Sequence, residues 1–150
     1  MVDFFTSRLL KAKELGAKDI NFPDPEDLNQ DLTNFSQNKN FDIAIDAAGT
    51  AQAIKNALYS LKKGGILVLA KYTPNSELTV PINVAIYKEL TLKTVFRYHD
   101  AFPAVIETVR EGIVRPREVV TDIFNFNDIQ EGMTRSLKEK SKILKAIVKI

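Results

Sequence analysis

Five apolar residues in a row, Ile66-Leu67-Val68-Leu69-Ala70, follow the pair Gly64-Gly65. A strand with one wet face alternates polar and apolar side chains. A run that does not alternate suits a strand covered on both faces, as in parallel sheets. Parallel neighbours need long crossovers, usually helical, and the flanking sequence supplies them. Upstream, Phe41 to Ala47 reads as a strand ending at Ala48-Gly49. Thr50 then caps a helix to about Lys62 that turns Ile54, Ala57, Leu58 and Leu61 inward. Downstream, residues 71–76 form a loop and Glu77 to Val80 an extended piece. Pro81 suits the first turn of a helix through Glu89. Leu90, Leu92 and the pair Val95, Phe96 then predict a second, largely buried strand.

The ends of the chain repeat this alternation. Val2 to Phe5 reads as a short extended piece, and Thr6 or Ser7 caps a helix with Leu9, Leu10, Ala12 and Leu15 on its core face. Gly16 fits the left-handed position past its end. Asp19 to Phe22 reads as a strand, and Glu26 to about Phe35 as a polar helix. Ala101 to Glu111 is helical and stopped by Gly112. Val119 to Phe126 is extended, Asn127 or Asp128 caps a helix through about Lys138, and Ile143 to Ile150 is a last strand. Strands alternating with helices of this length define an α/β class: a mainly parallel, Rossmann-like sheet flanked by helices. No linker divides the 150 residues, so one domain is expected.

Composition narrows the function classes. The formal charge of +2 is spread along the chain without a basic stripe, which gives no electrostatic support for nucleic-acid binding. There is no cysteine and a single histidine, His99. Thiolate metal sites are excluded, and a zinc site made by this chain alone would need His99 with carboxylates. No apolar run spans a bilayer and no signal-peptide core is present; the cytoplasm is the expected setting.

Two cations stand out. The Leu90–Phe96 strand ends at Arg97, Tyr98, His99 and Asp100. A cation and a phenol at a strand's carboxyl end mark either a ligand site, since open parallel sheets bind ligands there, or a structural ion pair at the rim. Arg8 lies in the first turn of its helix, where a cation opposes the dipole. It either points into water or lies near an anion or a hydroxyl-rich ligand.

Val2-Asp3, Thr6-Ser7-Arg8-Leu9 and Lys11-Ala12-Lys13-Glu14-Leu15-Gly16-Ala17 resemble the second strand and following helix of the sorbitol (polyol) dehydrogenases, in the zinc-dependent medium-chain alcohol dehydrogenase superfamily. The resemblance continues through Asp42–Gly49 and Gly64–Leu69. It is sharpest at Thr79-Val80-Pro81 and Val95-Phe96-Arg97-Tyr98. It implies that Asp3 binds the adenosine ribose hydroxyls, favouring NAD over NADP, with Arg8 beside that ribose. It implies that Ala70, Lys71 and Tyr72 pass the nicotinamide ribose, that Val95, Phe96 and Arg97 touch the nicotinamide end, and that Arg97 and Tyr98 face a polyol. Lys71 stands where the family usually has glycine, in a loop one residue longer, so a long side chain enters the cofactor's wall.

Two family features have no counterpart in these residues: the GroES-like domain with the catalytic zinc ligands, and the Gly-x-Gly-x-x-Gly turn after the first Rossmann strand. The resemblance therefore implies the C-terminal portion of an NAD-dependent polyol dehydrogenase, an incomplete NAD-binding domain with a C-terminal segment, inactive on its own. A catalytically dead module that associates with full-length relatives is the alternative. Without the first strand, the Phe41–Ala47 strand has an open edge; the N-terminal strands form a flap beside the sheet or move inward to replace the missing one. At the opposite edge, the superfamily continues its sheet across a two-fold, which implies a homo-oligomer through residues 90–96.

Overall fold

The computed structural model describes residues 1–18, 32, 34–37, 39–73, 77–98 and 100–150. In chain order its regular elements are α1 (Thr6–Glu14), β1 (Phe41–Asp46), α2 (Ala51–Ser60), β2 (Leu61–Leu69), α3 (Ile82–Tyr87), β3 (Thr91–Thr94), α4 (Phe102–Arg110), β4 (Asp122–Asn125), α5 (Ile129–Lys138) and β5 (Ala146–Lys149). The described residues group into two compact units, one within 32–98 and the other made of 1–18 with 100–150. All strand pairs in both are parallel, so the α/β, Rossmann-like class read from the sequence is the class observed. The strand expected at Asp19–Phe22, most of the Glu26–Phe35 helix and His99 lie outside the described residues. Leu32, Asn34 and Phe35 are helical.

In the 32–98 unit the strands lie in the order β1-β2-β3. Each crossover steps the same way across the sheet. Because such crossovers are nearly always right-handed, α2 and α3 must cover the same face. The register puts Ala44, Leu67 and Leu92 in one row of that face, and Asp46, Leu69 and Thr94 in the next. Ile54 and Leu58 of α2 and Ala85 of α3 close over Leu61 and Leu67 to make the core. The opposite face carries Ile43 and Ile45, which remain 57% and 68% exposed, beside half-buried Ile66 and Val68. The apolar run at 66–70 is thus fully covered on one side only.

Three expectations in this unit need correction. Gly64-Gly65 does not turn the chain into a strand. The two glycines lie inside β2, where the pairing jumps from Phe41–Leu61 to Ile43–Ile66. Gly64 takes a left-handed φ of 72° and donates its N–H to the Lys88 carbonyl at 2.7 Å, so the bulge needs a residue free of the Cβ clash. The strand predicted as buried at 90–96 is shorter, Thr91–Thr94, and exposed throughout. It is an edge strand, and among the described residues nothing pairs with its outer side; Leu90, just before it, is the residue that packs on the core. Pro81 stands at the N-cap of α3 rather than inside its first turn.

In the other unit, β4 and β5 pair through Ile123–Ile147 and Phe124–Val148. Gly132 of α5 lies flat on the Phe124 ring: a Cβ there would sit 2.8 Å from it. The helix α1 starts at Phe5 without a side-chain cap, contrary to the expectation for Thr6 or Ser7. Ser7 Oγ is engaged elsewhere, donating to the Ser141 carbonyl. Its end is as expected: Gly16 takes φ 101°, Ala17 N–H reaches the Ala12 carbonyl and Gly16 N–H the Lys13 carbonyl, which satisfies the last turn. No helix among the described residues is long and apolar enough to cross a membrane.

Candidate cofactor site

The carboxyl ends of β2 and β3 are held in register beyond the strands themselves. Ala70 N–H donates to the Asp46 carbonyl at 2.9 Å, and Val95 N–H to the Leu69 carbonyl at 3.0 Å. These bonds fix the starts of two loops side by side. Between them opens a cavity of about 690 Å³, lined by Leu69, Ala70, Lys71, Tyr72 and Thr73 from one strand and loop, Thr94, Val95, Phe96 and Arg97 from the other, and Ile54 of α2. The structure therefore brings together six of the residues singled out from sequence: Ala70, Lys71, Tyr72, Val95, Phe96 and Arg97. Tyr98 is exposed and is not part of this wall.

Arg97 adopts φ 60°, a left-handed conformation unusual for a residue with a Cβ. Its guanidinium carbon lies 5.1 Å from the centre of the Phe96 ring, in cation–π range. Two further residues shape the site from behind. Asp46, only 5% exposed, accepts from the backbone N–H of Ala48 at 3.1 Å and from that of Gly49 at 3.1 and 3.2 Å. That clasp turns the chain sharply after β1. Gly49, at φ 70°, then lies so close to the 71–72 loop that a Cβ would meet Lys71 Cγ at 2.7 Å and the Tyr72 carbonyl oxygen at 2.9 Å. The signal was present in the sequence: an acid at a strand's end followed closely by glycine is a turn pattern.

Asp3 and Arg8, in the other unit, are also brought together. Asp3 Oδ2 lies 3.8 Å from Arg8 Nη1, and Asp3 Oδ1 accepts from the Phe5 N–H at 2.9 Å. The Arg8 guanidinium stands over the Phe5 ring at 4.6 Å and donates to the Lys140 carbonyl at 3.0 Å. Of the two readings open for Arg8, it thus has an anion beside it, one supplied by the chain itself. With one oxygen on an amide and the other at an ion pair's edge, the Asp3 carboxylate keeps lone pairs for further donors.

A parallel sheet whose carboxyl rim opens into a cavity between two strand-ending loops has the arrangement of the open α/β ligand-binding proteins. Comparison with known proteins narrows the class. Residues 1–111 match the family described as zinc-binding dehydrogenase, and the chain belongs to it. The zinc-type alcohol dehydrogenase-like protein YdjJ of Escherichia coli (strain K12), itself uncharacterized, is 31% identical over 151 residues, covering 100% of this chain and 43% of that protein. Sorbitol dehydrogenase of Bacillus subtilis (strain 168) is 30% identical, covering 99% of this chain and 42% of that protein. The crystal structure of 2R,3R-butanediol dehydrogenase from Bacillus subtilis superposes with a TM-score of 0.85 at 29% identity, covering 99% of this chain and 42% of that one. The chain thus spans less than half the length of the relatives it matches, and corresponds to their C-terminal part.

The cavity's residues fit a nicotinamide cofactor in kind: Val95 and Phe96 offer an apolar wall for a flat ring, and backbone runs along both loops. Zinc is a different case. The chain has no cysteine and one histidine, and among the described residues no three of His, Asp and Glu gather as a metal site. These residues do not fit a catalytic zinc.

Proposed function

We propose that this chain is the cofactor-holding C-terminal portion of an NAD-dependent polyol dehydrogenase, a protein that moves a hydride between a secondary alcohol and NAD. The observation that carries the reading is the rim cavity, where Ala70, Lys71 and Tyr72 face Val95, Phe96 and Arg97 across the ends of two parallel strands. In this reading NAD supplies the hydride acceptor. Val95 and Phe96 pack its ring and keep water from one side. The 70–72 backbone passes the adjoining ribose, Arg97 and Tyr98 orient the polyol, and Asp3 with Arg8 holds the adenosine ribose. Residues 1–150 form an incomplete NAD-binding domain with a C-terminal segment, contribute no zinc ligands, and have no turnover alone. The same reading makes the protein cytoplasmic and homo-oligomeric through residues 90–96.

Calorimetric titration of the purified chain with NAD tests it. Saturable binding is expected, weakened about tenfold by Asp3→Ala, the scale of one charge-assisted hydrogen bond, and NADP should bind less tightly than NAD because its extra phosphate meets the Asp3 carboxylate. Absence of any binding heat, with the fold intact by circular dichroism, would overturn the cofactor assignment.

A further inference from the structure

Among the described residues, the wall of the rim cavity carries two cations, Lys71 and Arg97, and no carboxylate; its other polar side chains there are the hydroxyls of Tyr72, Thr73 and Thr94. Among the described residues neither cation has an ion-pair partner. Asp46, the acid at the end of β1, is committed to the amides of Ala48 and Gly49. Arg97 rests on the Phe96 ring instead of an acid, and holds a left-handed backbone that is strained for a residue with a Cβ. Strain of that kind persists where surrounding structure or function fixes it.

Two positive charges that line one cavity with no acidic partner among the described residues repel each other and attract anions from solution. A neutral polyol draws little from that field. A ligand with an oxyanion does, because ammonium and guanidinium groups make charge-assisted hydrogen bonds to carboxylate or phosphate that are roughly twice as strong as neutral ones. The volume of about 690 Å³ lies within the usual range for small-molecule sites.

We infer that the cavity bearing Lys71 and Arg97 is an oxyanion-recognising site, and that the polyhydroxylated ligand it takes carries a carboxylate or a phosphate. The inference rests on the proposed reading only in placing the substrate beside Arg97. It makes Lys71, foreign to the family pattern at this position, a specificity-determining residue.

The purified chain is titrated at low ionic strength with D-sorbitol, D-gluconate and D-sorbitol 6-phosphate, following the backbone amide resonances of residues 70–73 and 94–97. Sorbitol and gluconate share a carbon skeleton and differ at one end by a carboxylate. Gluconate or the phosphate should shift these amides at concentrations about tenfold lower than sorbitol. Lys71→Ala should weaken that binding roughly fivefold, within the range of one exposed charge contact, Lys71→Arg should retain it, and added salt should weaken it. Both cations are exposed, and a circular dichroism spectrum checks that each variant is folded. Equal response to sorbitol and gluconate overturns the inference. So does anion binding indifferent to both Lys71→Ala and Arg97→Ala. A parallel titration with NAD separates the two readings. If NAD alone binds through Lys71 and no sugar acid does, the charge serves the cofactor's pyrophosphate and this inference falls while the cofactor assignment stands. Sugar-acid binding through Lys71 without NAD binding has the reverse meaning.

Discussion

At the scale of single residues, the site depends on side chains that do not face the cavity. The Asp46 carboxylate satisfies the amides of Ala48 and Gly49, and Gly49 leaves no room for a Cβ against Lys71 and Tyr72. Asp46→Ala strands those amides in a nearly buried turn, which costs about 1–3 kcal/mol. Gly49→Ala adds a clash with a backbone oxygen to the penalty of a left-handed alanine, so a loss of about 2 kcal/mol or more is expected. Urea denaturation checks both, and amide shifts confined to 70–73 would show that the lesion reaches the cavity wall. A Gly49→Ala protein as stable as the parent would mean the 71–72 loop moves aside freely. What could be read here from sequence was the pairing of Ala70–Tyr72 with Val95–Arg97: two neighbouring parallel strands must end at the same rim. What could not be read was the clasp behind it, because a buried Asp and a solvated rim Asp look alike in one dimension.

At the scale of elements, the end of α2 has an unusual support. Lys88, at the end of α3, sends its ammonium to the carbonyls of Tyr59 and Leu61 at 2.6 Å and of Leu58 at 3.3 Å. A cation over a helix's last carbonyls is favourable, and it ties the two covering helices together. Lys88→Met leaves these acceptors without their donor, and a loss of about 1–3 kcal/mol is expected. Partial burial holds the Lys88 amine below its ordinary value of 10.5, so the folded chain gives up this proton at lower pH than the unfolded chain. Between the two values the unfolded state binds more protons, and the group's contribution to stability rises with pH. The stability gap between parent and Lys88→Met should therefore widen as pH rises toward 10.5; thermal melts across that range check the sign, and a narrowing gap would contradict it. The alternation of strands and helices was legible because each apolar run has a length and period of its own. The Lys88 contact was not, since its partners lie 27 to 30 residues away and nothing local marks them. The buried look of 90–96 misled for a related reason: an apolar strand that awaits a partner has the composition of one already covered.

At the scale of the whole molecule, that same strand bears on assembly. Both outer strands of the three-stranded sheet are edges among the described residues. Long apolar edges recruit other chains unless charge, proline or a bulge blunts them. Along β3 the only charge is Lys93, and Leu92 and Phe96 are 41% and 75% exposed. Four paired residues alone would not bury the roughly 1,200–2,000 Å² of a stable interface, so a partner here must also cover the side chains that follow the strand. A second copy meeting it about a two-fold satisfies both demands, since each β3 then finds an equivalent edge and each set of apolar side chains an equivalent neighbour. The proposed homo-oligomer is therefore expected to sediment as a dimer. Leu92→Lys, which places a charge at the part-exposed outer end of the Ala44–Leu67–Leu92 row, should shift it to monomer; because that row borders the core, a circular dichroism spectrum checks that the variant is folded. A chain that sediments as a monomer throughout, or a dimer unaffected by Leu92→Lys, would remove β3 as the joining edge and turn attention to Ile43 and Ile45 on the bare face beside β1.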